Sequence, residues 1–391
     1  MNGLDFPFPE RNNFPMSLTL LHTADLHLGA PLTSFGSYAA TRREEFRQTF
    51  SRILDLAIQR SIPVLLIAGD LFDDIDVDRS LVGWVCEELR GYTQTGGQVV
   101  IIPGTHDHME GGNWALKTLL NVHLLESPLI TEPLKLNIGE ETVFIYGFSF
   151  QHGQTPPDWR PMMQRRDGEG FHIGMLHGAL RKNHEWNIPE KDLPFTLLDL
   201  VNLRLDYVAL GHYHQPQLLE HEGKTIASYP GSPEGKNFKE TGERVVHLVT
   251  FSNHNSPPEI EQVVVQTKSL VQTSIDVSGL GTLEDLISRF SSEGNEDVLA
   301  RITLTGVAEF PIDVEKLHQS THQHFGYLEL RNETTLIESS WIDHLKDELT
   351  IRGAFVRRAL KELEAAKTLE DRTTIRMAMH EVLAEFQRRG Q

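Results

Sequence analysis

The chain has 391 residues, with 36 Lys and Arg against 55 Asp and Glu, 19 His and one Cys. That length exceeds one ordinary core, so two domains with a helical appendage are expected; a hydrophobic content of 39% excludes a disordered chain, and no run nears the ~18 apolar residues of a membrane helix. A formal charge of −19 makes the chain a poor generic polyanion binder, so a nucleic-acid partner requires a locally basic face or bound cations.

Residues 1–16 are rich in Pro, Phe and Asn and lack a basic start followed by an apolar run. They read as a flexible extension rather than a signal peptide. Cys86 is the single cysteine, which rules out an internal disulfide and fits a reducing cytoplasm. Leu18 to Leu21 reads as a strand, followed by Asp25 and His27. Side chains at i and i+2 of an extended segment point the same way, so these two are expected to face one ion. Thr41 to Gln59 has helical periodicity, with Phe46, Phe50, Ile53, Leu54 and Ala57 on one face. Pro63 to Ala68 is a continuous apolar run typical of a buried strand and ends in Gly69-Asp70-Leu71-Phe72-Asp73. A helix over Arg79 to Arg90 follows, then a strand over Gln98 to Ile102 that ends in Pro103-Gly104-Thr105-His106-Asp107-His108. Each strand of this β-α-β-α-β run thus delivers a polar cluster at its carboxyl end, the edge where α/β sheets bind ligands.

Further strands are expected over Val143 to Phe148, over His172 to Leu176, ending in His177-Gly178, and over Asp206 to Leu210, ending in Gly211-His212-Tyr213-His214. Gln217 to Leu219, Lys224 to Ser228 and Arg244 to Phe251 look like a meander, and Ser252 to Pro258 like a domain boundary. The expected organisation is the extension, a catalytic domain over 17–256, a small α+β domain over 257–340 and a helical segment over 341–391. From Ile351 onward there are nine Lys and Arg against six Asp and Glu, and Ile375, Met379, Val382, Leu383 and Phe386 form one stripe. That stripe is most simply an intramolecular packing face.

The strand-end groups Asp25, His27, Asp70, Asp73, His106, Asp107, His177, His212 and His214 mix imidazole with carboxylate. Such donors suit borderline ions such as Mn²⁺, Fe²⁺ or Zn²⁺ better than Ca²⁺. They outnumber the needs of one ion. Two ions roughly 3.5–4 Å apart, sharing a carboxylate, would use them, clamp a phosphate and generate a hydroxide at neutral pH.

The ordered words Asp25-x-His27, Gly69-Asp70-x-x-Asp73, Gly104-Thr105-His106-Asp107, His177 and Gly211-His212-x-His214 resemble those of the calcineurin-like metallophosphoesterases. The resemblance implies an α/β fold, an αββα sandwich with a di-metal site at one edge. It implies Asp25, His27 and His214 on the first ion, His177 and His212 on the second, and Asp70 bridging. His106 would sit over the substrate phosphate and assist the leaving group, Asp107 would orient its ring, and Asp73 would fix the loop from just outside the ligands. The words His22 to Gly29, Ile67 to Asp73, Leu210 to His214, Tyr229-Pro230-Gly231-Ser232 and Thr350 to Arg357 are similar to the SbcD-type DNA repair exonucleases, especially the YhaO-like branch. That narrower resemblance spans roughly residues 17–380. It implies a metal-dependent DNA exonuclease or endonuclease using a hydroxide that bridges two metals, with a capping domain and C-terminal helices that dock on an SbcC-like coiled-coil ATPase. It also admits a homodimer, and no membrane partner. The departure is Thr105, where the family has an Asn whose amide oxygen ligates the second ion; a hydroxyl is a poorer donor, so weaker occupancy of that position is expected.

Arg160, Arg165, Arg166, Arg181 and Lys182 flank the His177 strand and are candidates for DNA phosphates; a solvated loop surface is the bland alternative for each. His108 and His184 are loop histidines with even claims to approach substrate, while His123, His221 and His247 read as structural. The competing functions are a phosphodiesterase or phosphatase on a small ester, which has no need of the residues after the boundary, and a scaffold with a weakened second ion position. Retention of the other ligands argues against the scaffold.

Overall fold

The computed structural model describes residues 17–107, 113–149, 158–181, 189, 192–254 and 256–389. The 1–16 extension, His108, Lys182 and His184 lie outside them. The first compact unit takes residues up to Lys236 and Glu243–Thr267; the second takes Asn237–Gly242 and Lys268 onward.

In the first unit the order is β1 Leu18–Thr23, α1 Ala39–Gln59, β2 Val64–Ala68, α2 Arg79–Thr93, β3 Gln98–Ile102, β4 Val122–Leu124, β5 Leu134–Ile138, β6 Glu141–Gly147, α3 Trp159–Met163, β7 Phe171–His177, α4 Leu197–Leu203, β8 Tyr207–Gly211, β9 Gln217–His221, β10 Lys224–Tyr229, β11 Val245–Phe251 and β12 Glu259–Val264. The strands form two six-stranded sheets, in the orders β12-β11-β1-β2-β3-β4 and β5-β6-β7-β8-β10-β9. β1 to β4 run parallel, and so do β6, β7, β8 and β10, with antiparallel strands at the margins. Alternate residues of each sheet, among them Leu20, Leu66, Val100 and Ile102 from one and Ile145, Ile173, Met175 and Ala209 from the other, meet in one dry core. β2 is apolar on both faces because helices cover its outer side, and all five of its residues are buried. α1 buries Phe46, Phe50, Ile53, Leu54 and Ala57, the stripe its periodicity predicts. On the second sheet, Trp159, Met163, Leu200 and Leu203 of α3 and α4 pack on Tyr146, Leu176, Val208 and Leu210. The result is the expected αββα sandwich.

Two expectations about order along the chain are corrected. β11 leaves the predicted meander and pairs antiparallel with β1 in the first sheet. β12 pairs with β11, Val249 opposite Ile260, so the first unit extends past the turn near Ser256 to Thr267. A sequence reading sees the polar turn but not the ladder that continues beyond it.

The second unit carries β13 Ser269–Asp276, α5 Leu283–Glu293, β14 Asn295–Thr305, β15 Val307–Ala308, α6 Val314–Thr321, β16 Phe325–Asn332, β17 Thr335–Leu336, α7 Ser339–Lys346, α8 Ile351–Ala365 and α9 Leu369–Arg388. β13, β14 and β16 form a parallel three-stranded sheet, with Leu286, Phe290 and Leu317 of α5 and α6 in its core. α7 to α9 close on Val307 and Ile337 through Leu345, Val356, Met379 and Leu383. Met379, Leu383 and Phe386 of the predicted α9 stripe thus pack internally, whereas Val382 is exposed, and the helical segment belongs to the same unit as the α+β part.

A polar chain crosses the sandwich core. His22 Nδ1 and the Tyr207 hydroxyl are 2.9 Å apart, Tyr207 and Ser228 Oγ 2.6 Å, and Ser228 Oγ and His247 Nδ1 2.7 Å. Burial holds the His247 imidazole down to about 4 and, with His247 beside it, holds His22 well below its ordinary range. The unfolded chain then binds protons that the fold refuses, so stability is complete above about pH 6.5 and falls as pH drops toward 4. At pH 5, His247 alone accounts for about 2 kcal/mol of loss. Urea unfolding at pH 7.5 and pH 5 measures this. A His247→Asn variant has the shallower pH dependence, and an equal dependence in both would refute the assignment.

Candidate metal centre

The site is built where β1, β2, β3, β7 and β8 end. The loop after β1 is stitched to the loop after β2 by backbone bonds: Asp25 N donates to Gly69 O at 3.0 Å, His27 N to Asp70 O at 2.9 Å, and Asp73 N to Leu28 O at 3.1 Å. This lateral stitching, not strand alternation, brings the first two words together. β1 stops at Thr23, and Asp25 and His27 have φ of 53° and 46°. The extended geometry expected for the pair is thus wrong; both sit in the left-handed region, as do Asp70 at 52° and His212 at 103°. For non-glycine residues such conformations cost about 1–3 kcal/mol each and persist only where surrounding bonds impose them, typically at functional sites.

The side chains converge on Asp70. Its Oδ2 lies 3.7 Å from His27 Nε2 and 3.4 Å from His177 Nε2, and its Oδ1 accepts the His106 backbone N–H at 2.8 Å. Three groups of donor atoms each lie within 4.8 Å of one another: Asp25, His27 and His214; Asp25, Asp70 and His177; and His27, Asp73 and His106. His212 joins none of these groups; its ring stands edge-on to His177, 5.4 Å between centroids, and its backbone N–H donates to Asp25 Oδ1 at 3.0 Å. Asp25 and His27 each belong to two of the groups. Thr105 is half-buried in the β3 loop.

Two observations test whether these residues suit cations. His27 Nε2 and His214 Nε2 face each other at 3.1 Å, an arrangement in which a shared cation satisfies both lone pairs. The buried His177 Nε2 has no hydrogen-bond partner, while its Nδ1–H donates to Ala68 O at 2.9 Å. That bond leaves Nε2 facing Asp70, the nitrogen that a ligating histidine presents once its proton is lost. The charges agree. Burial pushes His177 down, but the Asp70 and Asp25 carboxylates override it and raise it to about 10. Burial pushes Asp70 up, yet His177, His27 and the His106 N–H hold it well below the carboxylate range. Burial, then the Asp70 charge, raises Asp107 to about 6. Burial, then His177, lowers His212 to about 4. A proton on His177 Nε2 would supply positive charge beside the clustered carboxylates, and a divalent cation there would take its place. The donor set fits.

One predicted role is corrected. Asp107 does not orient His106. Its Oδ1 accepts Gly104 N–H at 2.7 Å and its Oδ2 accepts Phe72 N–H at 3.2 Å, so it braces the β2 and β3 loops. The exposed His106 ring is held instead by the Asp73 backbone carbonyl, 2.9 Å from Nδ1. The Asp73 carboxylate turns the other way, to His27 Nδ1 at 3.0 Å.

Three of the arginines proposed for DNA are already engaged. Arg160 pairs with Asp199 at 2.6 Å, Arg165 with Asp206 at 2.6 Å, and Arg166 with Glu132 at 3.0 Å and Thr131 O at 2.6 Å. Each is thus partly covered and charge-paired within the fold. Arg181 donates its backbone N–H to Phe195 O at 2.7 Å. Sequence reasoning missed Lys236, whose Nζ lies 2.6 Å from Asp73 Oδ1, and Arg244, whose Nη1 donates to His214 O at 2.6 Å. The available signal for Lys236 was its place four residues after the Tyr229-Pro230-Gly231-Ser232 word.

The profile of the calcineurin-like phosphoesterase family matches residues 18–216. The chain is 31% identical over 302 residues to an uncharacterized metallophosphoesterase, YhaO, of Bacillus subtilis, covering 74% of this chain and 72% of that one. It is 24% identical over 302 residues to the DNA double-strand break repair protein Mre11 of Sulfurisphaera tokodaii, covering 73% of each. It is 22% identical over 346 residues to a subunit of the nuclease SbcCD of Bacillus subtilis, covering 80% of this chain and 85% of that one.

Proposed function

The chain belongs to the calcineurin-like phosphoesterase family, a hydrolase family, and from that premise we propose that it is a Mn²⁺-dependent DNA exonuclease or endonuclease of the repair class. The observation that carries the reading is the position of Asp70 Oδ2 between His27 Nε2 and His177 Nε2, at 3.7 and 3.4 Å. Support for a nucleic-acid substrate comes from relatives whose names are DNA repair protein and nuclease, matched over lengths that exceed the phosphoesterase domain alone. Mixed imidazole and carboxylate donors suit a borderline ion such as Mn²⁺, Fe²⁺ or Zn²⁺.

Asp25, His27 and His214 would hold one ion, His177 and His212 the other, and Asp70 both. When bound, two divalent cations supply Lewis-acid polarisation of a phosphate and a nucleophile from water near neutral pH. The chain's own residues do the rest. His177 keeps its Nδ1–H on Ala68 O and so presents Nε2 inward. His106, anchored at Nδ1 by Asp73 O, offers Nε2 to the exposed side, where a proton there can pass to the departing 3′ oxygen. Asp107 keeps the loop that carries His106 in place. With Thr105 in the third word, the second ion position is the weaker one. One relative is by name one subunit of a nuclease, which supports a second subunit beside this chain; the sequence resemblance makes that partner an SbcC-like coiled-coil ATPase.

No helix among the described residues is long and apolar enough to cross a membrane. Incubation with labelled linear duplex DNA, single-stranded DNA and bis-p-nitrophenyl phosphate, with Mn²⁺ or EDTA, tests the reading. Metal-dependent DNA degradation is expected, reduced about 10²- to 10⁴-fold in His106→Ala. Cleavage of the small ester alone makes it a small-molecule phosphodiesterase, and no turnover makes it a scaffold.

A further inference from the structure

Segment 232–236 reaches the site from outside every metal-associated word, and it is unusually well fixed. The fully buried Arg42 guanidinium donates from Nη2 to Gly235 O at 2.8 Å and pairs with Glu234 Oε1 at 2.6 Å, while its Nη1 holds Glu45 Oε2 at 2.8 Å. The other Glu234 oxygen accepts from Thr49 Oγ1 at 2.5 Å, Thr267 N at 2.8 Å and Thr267 Oγ1 at 3.0 Å. Phe35 and Phe46 lie against the guanidinium, 5.5 and 5.2 Å from their ring centres. A buried charge network of this kind is held together because removing any member strands the others. It ends one residue before Lys236.

From that anchored backbone the Lys236 ammonium reaches Asp73 Oδ1 at 2.6 Å. The same oxygen faces His27 Nδ1 at 3.0 Å. Both side chains are mostly covered, 20% and 17% exposed for Lys236 and Asp73, so this is not a screened surface pair. A carboxylate on the outer nitrogen of a ligating histidine fixes its tautomer and ring plane. What holds Asp73 in that pose is the lysine on its other side.

We propose that Lys236 is a positioning residue for the metal centre: it pins the Asp73 carboxylate against His27 Nδ1 and thereby presents His27 Nε2 to the ion shared with Asp25 and His214. The role rests on the metal-centre reading above but not on the DNA substrate. A freely turning Asp73 would leave the His27 ring with two orientations, one of which aims the wrong nitrogen inward, and the ion would lose affinity without loss of fold.

The test is Mn²⁺ titration of the full chain by calorimetry, in the absence of any substrate, with Lys236→Met, Lys236→Arg, Asp73→Asn and the Lys236→Met/Asp73→Asn double variant. The expected result is a Kd for the tighter ion raised about 10- to 100-fold in Lys236→Met, largely restored in Lys236→Arg, with a metal-free thermal midpoint close to wild type. In the Asp73→Asn background Lys236→Met has no further effect, because the lysine acts through that carboxylate. Wild-type affinity in Lys236→Met overturns the proposal. So do equal losses for the Met and Arg variants accompanied by a lowered metal-free midpoint, or full additivity of the two substitutions. If Mn²⁺ binds and responds as expected but no DNA is cut, the nuclease reading fails and this role stands.

Discussion

Asp70→Asn lowers metal-dependent turnover at least ~10³-fold, about 4 kcal/mol of activation free energy, while leaving the fold intact. Both halves follow from the two oxygens of one side chain. Oδ1 accepts the His106 N–H at 2.8 Å, a bond that an amide oxygen keeps, so the β2 and β3 loops stay joined. Oδ2 stands between His27 Nε2 and His177 Nε2, and an amide nitrogen placed there can neither bridge two cations nor offset their charge. If the parent chain takes up two Mn²⁺ ions, as proposed, titration of the variant is expected to lose that stoichiometry. A second readout needs no metal at all. With the principal carboxylate gone, burial is the main influence left on His177, and its imidazole, raised to about 10 in the parent, drops toward or below the ordinary histidine range. NMR titration of the histidine rings follows this directly. Two tightly bound ions in the variant would show that Asp70 is not shared.

The second large effect needs only one added carbon. A Cβ on Gly211 would lie 1.9 Å from Ala68 O, 2.8 Å from His177 Nδ1 and 3.0 Å from Ala24 Cβ. Ala68 O is the acceptor that fixes the His177 tautomer, so the clash falls on the bond that orients a ligand. Backbone must move, because neither the carbonyl nor the ring is the free end of a flexible side chain. Gly211→Ala is expected to cost about 3 kcal/mol or more of stability to overpacking and to reduce turnover of bis-p-nitrophenyl phosphate at least ~10²-fold at temperatures where the variant is still folded. Urea unfolding and the ester assay together measure both losses. A variant with wild-type turnover would remove Gly211 from the site's construction. Gly104 answers the same question from the opposite loop, since its added Cβ would meet Asp70 Oδ1 at 2.2 Å. The glycines of these words are spaces for neighbours, not hinges.

Much of this was legible because strand ends are legible. A run such as Val64 to Ala68 announces a strand buried on both faces, and the polar word behind it must then lie at the sheet edge. Repeating that inference for β1, β3, β7 and β8 collects nine candidate residues without knowledge of their geometry. Local conformation was not legible. The pairing of Asp25 with His27 was argued from strand alternation, whereas both residues are left-handed and are set by bonds to the β2 loop, far away along the chain. The roles of Asp73 and Asp107 could not be separated either, because both are carboxylates ending a motif; only the direction in which each turns distinguishes a histidine's support from a loop brace. Arg42 carries no spacing signal, since long-range ion pairs leave no period in a sequence, and the only cue to Lys236 is its place after the Tyr229-Pro230-Gly231-Ser232 word. The boundary near Ser256 was misplaced for a similar reason: a turn is local, but the β11–β12 ladder that spans it is not.

The division of the chain also imposes a timetable on synthesis. β1 is an inner strand of its sheet and takes β11 as a neighbour, Leu18 opposite Phe251, so the first strand made waits for more than half the chain before that edge is covered. The hexapeptide Asn237–Gly242 belongs to the second unit although it is made before β11. Its Phe238 ring is covered by Arg301, 4.3 Å from the ring centre, and by Tyr327. At roughly 5–20 residues per second, that aromatic leaves the ribosome several seconds ahead of the residues that bury it. The two units therefore cannot mature strictly one after the other, and a chain stopped after Thr267 would leave Phe238 permanently without its cover.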